Sequence, residues 1–456
     1  MIDFLEEAYK RKDDILKDIE TLCRIPSVLD ESTAGEHQPF GKACREALDA
    51  MLEIGKRDGY QCKDVDGYAG HIDIGNHEDM IGVLGHLDVV PCNKNGWLTD
   101  PYQMVIKDNK LYGRGVADDK GPLIAGYYAA KIIDELNLPV KMKMRIIFGC
   151  NEESGSACMK YYFNHMPFPS FGFTPDAEFP VVYGEKAGVH FEIYGDVEKD
   201  NIIGIYAGTR ANIVPEVCEA YVVGNYKQYK ESYQQFLNDN HLEGTIEEEG
   251  NHTKFVLVGK SAHASLPEEG INAVTYMCHY LVSLSQNRLV HFINDCFYDD
   301  HYGQKLNIAY NGMMGPLTVN LGILQYKDGK VSATIDMRVP HEVTEENLVK
   351  NIEEKLEKYG LSQKHDMGKA LYIDPESELV QSLHNAYVEL TGDHTHQPQA
   401  IGGGTYAKSM PHCVAFGAGF PGVDYKIHQN NEEISIDDLL KATGIFAKAI
   451  YDLIKK

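Results

Sequence analysis

Five separate segments of this 456-residue chain, four of them short apolar runs of strand-like composition, are followed by a histidine or a carboxylate. His86 and Asp88 follow the run Met80 to Leu84, and Asp118 and Asp119 follow Leu111-Tyr112-Gly113-Arg114-Gly115. Glu152 and Glu153 follow Lys143 to Gly149, Asp176 follows Phe171 to Phe173, and His428 sits in a loop beyond Val414 to Gly417. Between the runs the pattern is helical. Pro122 to Leu136 carries Leu123, Tyr127, Ala130 and Ile133 on one face with proline in the first turn, and Ser156 to Asn164 also reads as a helix. Strands alternating with helices predict an α/β fold with a mostly parallel sheet flanked by helices. In such sheets the ligand crevice lies outside the carboxyl ends of the strands, so the five segments point to one edge.

The texture changes near Gly184. Val189 to Tyr194, Thr253 to Val258 and Val331 to Met337 alternate as half-buried strands do, and helices are expected at Asn272 to Ser285 and Thr344 to Tyr359. Past Ala370-Leu371-Tyr372 the earlier pattern returns, with helices at Ser377 to Thr391 and Ser435 to Ile454, the last capped by Ser435. The expected organisation is a catalytic domain made of residues 1–183 and 372–456, interrupted by an α+β domain at 184–371.

Carboxylates gathered in a small volume raise one another's pKa unless a cation lies among them. Imidazole with carboxylate suits zinc, with manganese or cobalt as substitutes. His86, Asp118, Glu153, Asp176 and His428 are enough for two divalent ions sharing one bridging carboxylate. Each piece alone has an ordinary reading. Asp118-Asp119 and Glu152-Glu153 could serve helix starts, and His428 could be a surface histidine. The joint placement at strand ends carries the argument.

Charge and composition exclude other classes. Asp and Glu number 68 against 43 Lys and Arg, a net charge of −25, so nucleic acid is not an expected partner. No apolar run approaches the roughly 18 residues of a membrane span. The amino terminus Met1-Ile2-Asp3-Phe4-Leu5-Glu6-Glu7 is acidic and unlike a secretory signal. Ten scattered cysteines without a C-x-x-C pair fit free thiols in a reducing compartment. A cytoplasmic location without membrane attachment is the expectation.

His86-Leu87-Asp88, Gly113 through Pro122, and Asn151-Glu152-Glu153-Ser154-Gly155 resemble the co-catalytic di-zinc peptidases. That family includes glutamate carboxypeptidase, aminoacylase, succinyl-diaminopimelate desuccinylase, carnosinase and the bacterial PepV dipeptidases. The similarity runs from His86 to His428 and is to the PepV type in particular. It implies a zinc-exopeptidase-like catalytic domain with the insert as an enlarged lid. It assigns His86 and Asp176 to one metal and Glu153 and His428 to the other, with Asp118 bridging. It makes Glu152 the general base and Asp88 the brace of His86, and places a cis peptide before Asp119. From the lid, His263 would polarise the scissile carbonyl, Asn212 would hold substrate and Arg338 would take the substrate carboxylate, while Gly403 and Gly404 line the site. The implied reaction is metal-assisted hydrolysis of small dipeptides with a free carboxylate, including those with amino-terminal β-alanine. A deacylase or carboxypeptidase of N-acyl amino acids, or a non-catalytic metal-dependent binding protein, stays open at this point. A doubled lid could supply His263 from the same chain, which is compatible with a monomer.

Overall fold

A computed structural model describes residues 2–93 and 95–456. Met1, where the reading of the acidic amino terminus begins, lies outside them. The chain folds into two compact units, one of Met1–Gly184, Tyr372–Gln399 and Gly404–Lys456, the other of Glu185–Leu371 and Ala400–Gly403. Residues 400–403 therefore pack with the inserted unit although they lie within the expected second catalytic segment.

The first unit is built on a nine-stranded sheet. Its centre is parallel, with Lys143–Gly149, Met80–His86, Phe171–Thr174 and Cys413–Ala415 side by side in that order. The flanks are antiparallel, through Ala69–Ile74 on one side and Val182–Glu185 on the other, so the parallel character is confined to the middle. Burial explains the composition: every residue of Met80–His86 is buried, which demands a continuous apolar run rather than an alternating one. The helix Lys120–Glu135 is buried on nearly all sides, and the closing helix Ile436–Ile454 packs beside it. In this second helix Ser435 is the expected cap, its hydroxyl accepting from the Asp438 amide.

The second unit carries an eight-stranded antiparallel sheet. Its strands alternate: in Ala187–Asp196, residues Ala187, Val189, Phe191 and Ile193 are buried while Glu192 and Tyr194 are exposed. One face is thus covered by helices and the other is solvated, the α+β character read from the sequence. Two elements differ, the first being the helix Lys227–Asp239, which the sequence reading did not include. The helix expected over Asn272 to Ser285 spans Ala273–Leu281, and a further helix, Arg288–Phe297, follows with Asn287 as its cap.

Among the described residues none of the ten cysteines is in a disulfide. Among the described residues no helix is long and apolar enough to cross a membrane.

Candidate active site

The parallel register lines up the strand ends. His86 lies opposite Gly149, and Val83 lies opposite Phe173. The turns after these strands begin at one level and deliver His86, Glu153 and Asp176. Contrary to the expectation of five strand ends, Asp118 comes on the loop after Lys110–Tyr112 of a separate three-stranded sheet, and His428 on a loop well beyond Cys413–Ala415. His86, Asp118 and Asp176 form one group, and Asp118, Glu153 and His428 form a second. Within each group the potential ligand atoms lie within 4.8 Å of one another. Asp118 belongs to both, and its two oxygens divide between them. Oδ1 is 2.9 Å from His86 Nε2, and Oδ2 is 2.9 Å from His428 Nε2. Asp176 Oδ2 is 3.8 Å from His86 Nε2, and Glu153 Oε1 is 3.1 Å from His428 Nε2.

Taken as bare side chains, these groups balance their charge with protons. Burial disfavours ionised Asp118, but hydrogen bonds from His428 and His86 hold its carboxyl well below the usual range. Bonds to Asp118 and Glu153 lift His428 to about 10. Burial would depress His86, yet Asp118 and Asp88 hold it well above an ordinary histidine. Burial, followed by the charge of Asp118, pushes Asp176 well above the carboxylate range. A site that must protonate two imidazoles and hold back an aspartate is short of positive charge. Two sets of one imidazole with carboxylates, sharing a bridging aspartate, fit a pair of divalent cations with N and O donor preference.

The residues around the two groups fix their aim. His86 Nδ1 donates to the main-chain carbonyl of Asp88 at 2.9 Å, which leaves Nε2 for the group. The Asp88 carboxylate stands 3.6 Å from Nδ1 and does something the sequence did not suggest. Its Oδ1 and Oδ2 accept the amides of Glu152 and Glu153, each at 3.1 Å. Asp88 therefore braces His86 through its backbone and the Glu152-Glu153 turn through its side chain. The Asp118–Asp119 peptide is cis. Asp119 Oδ2 accepts the His86 amide at 2.9 Å, while Oδ1 is buried without a partner among the described residues. Burial pushes the Glu152 carboxyl up to about 8, opposed by His86 and reinforced by Glu153, Asp88 and Asp118.

Two residues of this unit were missed. Lys120 is wholly buried, its ammonium donating to the carbonyls of Leu22 and Ile25 at 3.0 and 2.8 Å. Glu432, also wholly buried, accepts amide N–H groups from the loop that ends at Asp118. A lone arginine between glycines, Gly113-Arg114-Gly115, is the signal for Glu432: such a cation needs an acid, and Glu432 is the one it meets.

The second unit holds the remaining predicted residues. His263 Nδ1 accepts from the Ser265 amide at 3.2 Å and from its hydroxyl at 2.7 Å, so Nε2 carries the proton. Partial desolvation of this exposed side chain, and then the Arg338 charge, lower its pKa. Arg338 donates from Nε and Nη2 to the two oxygens of Asp336, both at 2.9 Å, and from Nη1 to the Gly402 carbonyl at 3.1 Å. Its side-on fork is thus engaged, and its outer N–H groups remain. Asn212 is exposed and its carbonyl accepts the Ala264 amide at 2.9 Å. Gly403 lies in this unit, with the Gly402 carbonyl that Arg338 reaches, whereas Gly404 belongs to the first.

Two donor groups sharing an aspartate at the carboxyl edge of a parallel sheet define the class as a binuclear metallohydrolase. The chain belongs to the peptidase family M20/M25/M40, whose model matches residues 82–452. It is 36% identical over 462 residues to a Bacillus subtilis (strain 168) protein provisionally named dipeptidase YtjP, covering 98% of this chain and 99% of that protein. Among solved structures, human carnosine dipeptidase 1 has the same fold, with a TM-score of 0.58 at 16% identity over 99% of this chain and 98% of that one. So does YXEP of Bacillus subtilis, described as a dinuclear metal binding peptidase, at a TM-score of 0.52 and 11% identity over 98% of both chains.

Proposed function

We propose that this peptidase hydrolyses dipeptides that have a free amino terminus and a free carboxylate, β-alanyl dipeptides included. The observation that carries this reading is the division of the Asp118 oxygens between two donor groups, with the half-buried Glu152 beside them. The names of full-length relatives support the choice of substrate.

His86 and Asp176 would hold one cation and Glu153 and His428 the other, with Asp118 serving both. A divalent pair there supplies Lewis acidity, polarising the scissile carbonyl and making water nucleophilic at neutral pH. Zinc is the expected metal, with manganese or cobalt as substitutes. Glu152 takes the proton of the attacking water and passes it to the leaving amine. Positive charge at the two groups lowers its pKa toward the range a general base needs. His263, neutral and protonated on Nε2, offers a hydrogen bond to the oxyanion. The outer N–H groups of Arg338 take the substrate carboxylate, while Asn212, Gly403 and Gly404 position the backbone of the substrate.

The test is a panel of free dipeptides, tripeptides and N-acyl amino acids given to the chain stripped by chelator and reloaded with zinc or manganese. Dipeptides should be turned over only after reloading. Failure of the fully loaded chain on every dipeptide would defeat the reading, and preference for N-acyl amino acids would replace it with deacylation. In the same panel Arg338→Ala should raise KM for dipeptides more than for dipeptide amides. Equal effects on both would remove the clamp.

A further inference from the structure

Glu432 has an unusual set of partners for a residue with no exposed surface. An ionised carboxylate stays in a dry interior only when its oxygens are satisfied by donors or countercharges. Here Oε1 accepts the amides of Gly115, Ala117 and Asp118 at 3.1, 2.9 and 3.1 Å, and Oε2 accepts Arg114 Nη1 at 2.7 Å. The Glu432 carbonyl accepts the Gly113 amide at 3.1 Å. The next residues, Glu433–Ser435, pair antiparallel with Lys110–Tyr112. The turn carrying His428 and the loop carrying Asp118 are thus fastened to each other at Glu432.

We propose that Glu432 is the positioning residue that sets Asp118 for both cations at once. One Asp118 oxygen faces each donor group. A shift of its backbone therefore moves a ligand atom of both groups, whereas loss of Glu153 or Asp176 touches one. A core ion pair with no such role would alter stability and leave metal affinity alone. This inference rests on family membership and not on the choice of substrate.

The test is zinc affinity of the full-length Glu432→Gln chain, read by competition with a chromophoric chelator. Glutamine keeps an oxygen for the three amides but turns a donor toward Arg114. The affinities of both sites should fall together by about 10- to 100-fold, with the circular dichroism spectrum unchanged. Glu153→Gln should weaken one site far more than the other. A folded Glu432→Gln chain that binds two zinc ions within about twofold of the parent, a span well short of that loss, or that loses one site only, overturns the proposal. Should that variant not fold, amide exchange on the unaltered chain decides. The amides of Gly115, Ala117 and Asp118 should be as protected after chelation as with zinc, and exchange at open-loop rates after chelation overturns it.

Discussion

At the residue scale, Glu152 is the sharpest point of the proposed chemistry. It adjoins Glu153 of the second donor group, its backbone is held by Asp88, and burial raises its carboxyl. Glu152→Gln preserves the shape and the Asp88 bond, so both metals should remain while kcat falls by about 10²- to 10⁴-fold, the usual worth of a general base. Metal analysis alongside steady-state kinetics checks this, and a variant turning over near the parent rate would remove Glu152 from that role. The gathering of His86, Glu153 and Asp176 was legible because each follows an apolar run of the parallel sheet, where the ligand crevice lies. Asp118 and His428 instead reach it on loops, the first from a strand of a separate three-stranded sheet. Glu432 was not legible, because Gln429-Asn430-Asn431-Glu432-Glu433 has the composition of a surface turn. Nothing local says that one glutamate of the run faces inward. Asp88 was half legible: its proximity to His86 was foreseen, but which of its oxygens meets which donor is a matter of three-dimensional packing.

At the scale of elements, the start signals were the most readable feature. Asn272, Thr344, Ser377 and Ser435 each accept an amide of the first helical turn, a short-range bond that needs no tertiary information. Ser435→Ala should therefore cost about 1 kcal/mol, read as a lowered urea midpoint with unchanged slope. A stability change near zero would mean that packing of Ile436–Ile454 alone fixes that terminus. The ends at Tyr359, Thr391 and Ile454 fall where the sequence reading put them, and one end was harder to read. The apolar period of Ala273–Leu281 runs on through Val282 and Leu284, and only the turn before Asn287 breaks it. The parallel centre of the sheet was readable from unbroken apolar runs such as Met80–His86. The antiparallel flank Ala69–Ile74 is buried over most of its length yet carries His71 and Asp73, so no unbroken apolar run announces it or its direction.

At the scale of the whole molecule, the net charge of −25 makes the acid response of stability a test of which buried groups matter. Most carboxylates gain from shedding repulsion as pH falls. His71 works the other way. It lies buried in Ala69–Ile74, bonded to the Tyr162 hydroxyl at 2.8 Å. Burial, then the Arg145 charge, lowers its pKa to about 4, with Asp73 opposing. Above about pH 6.5, the ordinary value for histidine, the ring is neutral whether the chain is folded or unfolded and contributes no pH dependence. Below it the unfolded chain takes up a proton that the folded chain refuses, so stability falls between about pH 6.5 and 4. At about 1.4 kcal/mol per unit of pKa difference, the loss approaches about 3 kcal/mol. Asp73 acts lower, because its carboxyl is held below the usual range by Arg145 against burial, and its contribution fades only beneath about pH 4. His71→Gln can keep a bond to Tyr162 and cannot titrate, so its unfolding free energy should fall less than the parent's between pH 7 and 4.5, by about 2 to 3 kcal/mol. Metal loss on acidification affects parent and variant alike, and the difference isolates the ring. Parallel pH profiles for the two chains would show that His71 accepts its proton in the folded state, and the acid limb would then belong to the two donor groups.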